Sequence, residues 1–272
     1  MPLLDVKGRA FYYTHGEVDP LQAPEGEVAV VALHGAGAQH GVWAHYLYAL
    51  GKKVPFLALD LPGHGRSQTL DGEVSCPSYA RSVADLWETL LEKRGEKGRL
   101  RLVLMGHSMG GAVAIEYALT YQDTELRPEG LILVGTGGRL RVRPDFLETL
   151  SKGSFPPELM AAVSGRSLEE AAQADPSQSG VVEGPEVVYR DLLACDRFDR
   201  LEELGKIRVP TLVVHGDQDQ MTPLKYGQRL AEDIPEARLV VVEGAGHLVH
   251  AQKPGPVTRA IREFLEELSQ GR

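Results

Sequence analysis

The stretch GHSMG (106–110) sets a serine between two glycines, at the end of the apolar run 102–105. A serine hydroxyl is a weak nucleophile until a base takes its proton. The pattern gains chemical meaning when a strand leads in and a helix leads out, because that turn lifts the hydroxyl above a sheet. Both flanks comply. LRLVLM (100–105) reads as a strand, and MGGAVAIEYAL (109–119) is rich in Ala112, Ala114, Ala118 and Leu119, which favour helix. Glycine supplies 30 of the 272 residues, so the spacing alone says little and the flanks carry the reading. Ser108 is the expected nucleophile.

Such a serine needs a base, and nine histidines compete for the role. His107 adjoins the serine, where its ring would point elsewhere. His247 lies in EGAGH (243–247), just past the last expected strand, on a loop that would overhang the same rim. His250 lies one helical turn further on. A metal pair with His247 is conceivable, but no third ligand matches, so no metal is expected. The imidazole in turn needs a carboxylate to fix its tautomer. TLVVHGDQDQMTP (211–223) offers Asp217 and Asp219 directly after a strand. Asp219 sits far enough into the loop to reach the next one, and is the expected acid. Asp217 is expected to shape the turn. The loop after LILVG (131–135) offers no acid before Asp145.

The elements that must position these groups can be read from the hydrophobic pattern. VAVVALH (28–34), VPFLALD (54–60), LRLVLMG (100–106), LILVG (131–135), TLVVHG (211–216) and ARLVVVEG (237–244) are continuous apolar runs, as strands buried on both faces would be. Helical patterns lie between them, near 41–51, 78–95, 109–121, 223–233 and 254–269. Ser78 or Pro77 suits the start of the second and Pro254 that of the last. Alternation of this kind predicts an α/β fold, a mostly parallel central sheet with helices on both faces. FYYTHG (11–16) is expected as an antiparallel edge strand. Residues 137–208 break the rhythm with helical pieces and no β-like run. The expected division is therefore a core of 1–136 and 209–272, with 137–208 inserted as a helical lid over the carboxyl edge of the sheet. Arg139, Arg141 and Arg143, on alternate positions, are expected on a solvated edge.

The order Ser108, Asp219, His247, on an alternating α/β frame, resembles the α/β-hydrolase fold superfamily, in its lid-bearing serine carboxylesterase type. The resemblance spans essentially the whole chain. LHGAG (33–37) is similar to the family's oxyanion loop, which implies that the backbone N–H groups of Ala36 and Met109 hold the oxyanion. DLPGHGRS (60–67) is a recurring segment of the family, with His64 in a structural place. A serine at the nucleophile position argues against the epoxide hydrolases and haloalkane dehalogenases of this fold, which use aspartate. The loop at 34–37 also departs from the triple-glycine form of another esterase branch. The resemblance implies cleavage of small carboxylic esters through an acyl-enzyme, with no cofactor. The lid side chains Phe146, Leu150, Phe155, Leu159 and Met160 would line the pocket, and a lid this short suits short or medium acyl chains. Lactone hydrolysis, carbon–carbon cleavage of a diketone and perhydrolysis could use the same triad. A small-molecule sensor without turnover and a peptidase for short peptides are the more distant alternatives.

Bulk properties fit a small-molecule enzyme. The formal net charge of -9 gives no counterion-release gain on nucleic acid, and no nucleic-acid partner is expected. No apolar run is long enough to span a membrane. The N-terminus does not look like a signal peptide, so the cytoplasm is the default expectation. Cys76 and Cys195 are far apart and suggest neither a disulfide framework nor a zinc site. The chain contains no asparagine and 17 prolines, a composition that fits heat adaptation.

Overall fold

The computed structural model describes residues 3–270. Eight strands form one sheet: β1 (Leu3–Val6), β2 (Arg9–His15), β3 (Val28–Leu33), β4 (Phe56–Leu59), β5 (Arg101–His107), β6 (Pro128–Val134), β7 (Thr211–Gly216) and β8 (Ala237–Val242). Their spatial order is β1-β2-β4-β3-β5-β6-β7-β8. β1–β2 and β2–β4 pair antiparallel, and every later pair is parallel. The fold is thus the α/β-hydrolase fold expected from the sequence.

The apolar runs of β3 to β7 are explained by burial on both faces, whereas β8, expected to be buried likewise, is the outer strand and only Val242 of it is buried. Along β3, Ala29, Val31 and Leu33 join the core under α2 (Cys76–Arg94) and α3 (Met109–Tyr121), while Val28, Val30 and Ala32 join the core on the opposite face. That second layer contains Trp43, Tyr46 of α1 (Ala44–Ala49) and the apolar stripe of α10 (Pro254–Gln270). With side chains alternating across a sheet, a strand covered twice has no position left for a polar residue.

Two further expectations are corrected. The segment 11–16 is not an edge strand, because β1 lies outside it and β2 bridges β1 to β4. β1 and β2 are joined through Lys7 and Gly8, both with positive φ (51° and 84°), the backbone of a tight hairpin turn. The second correction is the start of α2, which is capped by Ser75, with Ser75 and Ser78 bonding each other's backbone N–H groups.

Between β6 and β7 the chain runs through α4 (Pro144–Ser151), α5 (Pro157–Ser164), α6 (Leu168–Gln173) and α7 (Pro185–Asp196). The roots of this insertion are tied together by a bridge between Arg139 and Asp199, and by the Arg200 N–H donating to Gly138 O at 2.7 Å. Arg139 and Arg141 pair with Asp199, and Arg143 with Asp145, all at exposed positions. α8 (Lys225–Asp233) and the short α9 (Val249–Gln252) complete the core. Among the described residues no helix is long and apolar enough to cross a membrane.

Candidate active site

The loops that follow β3, β4, β5, β7 and β8 all leave the carboxyl edge of the sheet, so five separate segments meet on one rim. Ser108, directly after β5, has φ 51° and ψ −116°, a conformation that L-residues rarely adopt and that costs on the order of 1–3 kcal/mol. Its N–H donates to Val134 O at 3.0 Å, and its own carbonyl accepts from Thr136 Oγ1 at 2.7 Å. These bonds to β6 and the loop after it hold the strained turn. The flanking glycines answer to close backbone contact. A Cβ on Gly106 would lie 2.2 Å from Gly110 O, and one on Gly110 would lie 2.3 Å from Leu33 O. Strand, turn and helix can pack this tightly only without side chains there.

His247 Nε2 lies 3.1 Å from Ser108 Oγ, and His247 Nδ1 lies 3.0 Å from Asp219 Oδ2. All three groups sit at the rim, with His247 and Asp219 buried. Asp219 also accepts the N–H groups of Met221 and Thr222, each at 2.9 Å, and the Thr222 hydroxyl at 2.9 Å. Burial alone would raise its pKa. Electrostatic attraction to the His247 imidazole, with the hydrogen bonds donated by His247 and by the Thr222 N–H, outweighs that, so the carboxyl is held below its ordinary value. A carboxylate fixed in this way can keep Nδ1 of the imidazole protonated and leave Nε2 free to take the serine proton. Asp217 instead accepts the Gly244 N–H at 2.7 Å, tying the loop after β7 to the loop after β8. His107 turns away from the serine. Its Nε2 donates to His247 O at 3.0 Å, and burial pushes its pKa well below the ordinary value, so it is a neutral brace under the His247 backbone.

Ala36 borders the same cleft as Ser108, on the loop after β3. Met109 opens α3, where backbone N–H groups have no intrahelical acceptor. The cleft lies between the rim and the insertion and is narrow, about 50 Å³. Leu159, Met160, Val163, Val181, Val188 and Leu192 face it from the insertion. Of the five lid residues expected in the pocket, Leu159 and Met160 are therefore on its wall. Phe146, Leu150 and Phe155 are not among its lining residues. They pack into the apolar cluster inside the insertion, where α4 needs its own hydrophobic stripe covered. α7, which the sequence marks only as a helix, supplies the wall in their place.

Sequence reasoning also missed a buried carboxylate. Asp191 of α7, 0% exposed, accepts the Gly37 N–H at 2.9 Å, His64 Nε2 at 2.7 Å and the Tyr79 hydroxyl at 2.9 Å. It thereby joins the insertion to the loops after β3 and β4. Glu183 works beside it, accepting from Gln39 Nε2 and the Gly65 N–H. The available signal was a lone aspartate on the apolar side of VVYRDLLAC (187–195). Burial opposes both charges. The attraction between the two groups outweighs it, so the Asp191 pKa lies below and the His64 pKa above its ordinary value. Asp191→Ala, which leaves three buried donors unpaired, is expected to cost about 3–5 kcal/mol, measured by urea unfolding. The depressed carboxyl contributes stability above pH ~4, which is lost as pH falls through its folded value. The raised imidazole contributes stability below pH ~6.5, which is lost as pH rises through its folded value. The difference between wild type and variant is therefore expected to be largest between those limits and to shrink on both sides.

A profile of the Alpha/beta hydrolase family matches residues 30–260, and the chain belongs to that family. It is a hydrolase by class. It is similar to a protein named putative carbamate hydrolase RutD of Pseudomonas savastanoi pv. phaseolicola, 29% identical over 257 residues, covering 87% of this chain and 93% of the relative. It is similar too to a 2-hydroxy-6-oxo-6-phenylhexa-2,4-dienoate hydrolase of Comamonas testosteroni, 29% identical over 276 residues and covering 90% of each chain. Among solved structures, one described as a thermophilic esterase superposes with a TM-score of 0.78 at 33% identity, covering 97% of this chain and 96% of the other.

Proposed function

We propose that the protein is a serine carboxylesterase for small esters. The observation that carries this reading is the contact chain from Ser108 Oγ through His247 to Asp219, at 3.1 Å and 3.0 Å, opening on an apolar cleft. In this mechanism Ser108 attacks the ester carbonyl as His247 takes its proton. The Ala36 and Met109 amides receive the oxyanion, which is worth a few kcal/mol of barrier, on the order of 3 kcal/mol. His247 then protonates the leaving alcohol, and water repeats the sequence on the acyl-enzyme. Residues 137–208 act as the lid that closes the cleft, with 1–136 and 209–272 as the catalytic core.

The likeness to a solved structure described as a thermophilic esterase supports the ester reading. So does the lining of the cleft, which among the described residues contains no Lys or Arg. A dienoate substrate of the kind named for the Comamonas testosteroni relative carries a carboxylate that such a wall would leave unpaired. The cleft's small volume favours short acyl chains. Hydrolysis of p-nitrophenyl esters of increasing chain length, run at raised temperature, is expected to peak at short chains and to fall steeply beyond medium length. Turnover of lactones or diketones, with all esters inert, would overturn the ester assignment.

A further inference from the structure

The loop after β3 carries the Ala36 N–H, and two different parts of the molecule hold it in place. On the core side, the His34 Nδ1–H donates to Gly35 O at 2.8 Å, while His34 Nε2 accepts the Leu61 N–H at 3.0 Å. Gly35 O and the Ala36 N–H belong to one rigid peptide plane, so this bond holds that plane. A Cβ on Gly35 would lie 3.3 Å from Ser108 Cβ, which places the plane directly beside the nucleophile.

The next plane is held by the insertion. The Gly37 N–H donates to Asp191 Oδ2 of α7 at 2.9 Å. Gly37 O accepts the N–H groups of Val182 and Glu183 at 2.9 and 3.0 Å. Both backbone groups of Gly37 are thus taken by residues 182–191. Gly37 has φ 65°, and a Cβ there would lie 2.5 Å from Val188 Cγ2, so glycine lets the loop pass against α7. Ala36 therefore stands between a plane fixed by the core and a plane fixed by the insertion, joined only through its own φ and ψ. An oxyanion donor works only where it is already aimed at the developing charge. A misplacement of about 1 Å can cost on the order of a hundredfold in rate.

We propose that Asp191 is a positioning residue for the oxyanion hole: through the Gly37 N–H it holds the Ala36 N–H where the oxyanion forms. The insertion then completes the site as well as covering it. The inference rests on the reading of Ala36 as an oxyanion donor in an ester hydrolase.

The test compares the whole protein with its variants on two ligands of one chain length, a trifluoromethyl ketone and the plain methyl ketone. Ser108 Oγ adds to the carbonyl carbon of the first, its proton passes to His247, and the carbonyl electron pair moves onto the oxygen. The plain ketone binds without adding. The ratio of their affinities, read as protection of Ser108 from a fluorophosphonate, reports oxyanion stabilisation without ester turnover. Asp191→Ala is expected to lower that ratio, and kcat on a short p-nitrophenyl ester, by about tenfold or more. KM and plain-ketone affinity are expected to stay within about threefold. Asp191→Asn, whose amide oxygen can still accept the Gly37 N–H, is expected to retain part of the ratio. Tyr79→Phe removes a different donor from the same carboxylate and is expected to leave the ratio intact. Thermal melting checks that each variant is folded at the assay temperature. Should Asp191→Ala not fold, Gly37→Ala, which forces the loop away from Val188, is expected to lower the ratio in its place.

An unchanged ratio in folded Asp191→Ala, or in Gly37→Ala where that variant stands in, would overturn the proposal. So would an equal loss in Tyr79→Phe, or a loss of plain-ketone affinity as large as that of the trifluoromethyl ketone. A ratio that falls as expected, in a protein that turns over no ester, would overturn the esterase reading and leave the positioning role standing.

Discussion

Ser108→Ala is expected to lower ester turnover by about 10⁴-fold or more, to the residue of catalysis left by binding and the oxyanion donors. The fold should survive, because the hydroxyl makes no bond that supports the strained turn. The turn is held by the Ser108 N–H on Val134 O and by its carbonyl on Thr136. Alanine at φ 51° keeps the strain already present rather than adding to it. Kinetics on a short p-nitrophenyl ester, beside circular dichroism and thermal melting of both proteins, check this. Loss of activity with loss of fold would assign Ser108 a structural role instead. Because the serine and histidine act as one unit, His247→Ala is expected to cost about as much, and the double variant little more than either single one.

The second large effect separates two acids in one loop. Asp219→Asn is expected to reduce kcat by about 10³–10⁴-fold, because an amide facing Nδ1 favours the wrong imidazole tautomer. Asp217→Asn is expected to change kcat by less than about threefold. An amide oxygen can still accept the Gly244 N–H that Asp217 now accepts at 2.7 Å, so the two loops stay joined. Steady-state kinetics on both variants decide the matter. A larger loss from Asp217→Asn would exchange the two roles, against the contact of 3.0 Å between Asp219 and His247.

What could be read from the sequence follows the physical origin of each signal. Strands covered on both faces announce themselves as unbroken apolar runs, and β3 to β7 lie where those runs are. Ser108, Asp219 and His247 could be placed because each follows such a run, and strand ends share a rim by topology alone. β1 escaped because a strand of four residues, half of them exposed, has no such run. Only the Lys7–Gly8 turn marks it. The pocket wall was harder to read. Phe146, Leu150 and Phe155 are large and apolar, as lining residues would be, yet an insertion must first build a core of its own, and they are spent there. Residues facing the cleft and residues facing that core have the same chemistry, and their orientation depends on how α4, α5 and α7 cross. Asp191 was missed for a different reason. It is a polar residue whose meaning comes from partners far away in sequence, Gly37, His64 and Tyr79, and no local pattern records that.

The central claim is that Ser108 carries the acyl group between two half-reactions. The direct measurement is mass spectrometry of the protein quenched in acid within the first turnovers on p-nitrophenyl acetate, with the modified peptide sequenced. The account predicts one acetyl group on Ser108 in the wild type, gone once substrate is exhausted and absent from Ser108→Ala. It also predicts accumulation of that adduct in a His247 variant that still acylates slowly, since deacylation needs the same base. Rapid turnover with no adduct on Ser108, or an acetyl group that forms elsewhere and turns over equally well in Ser108→Ala, would contradict it.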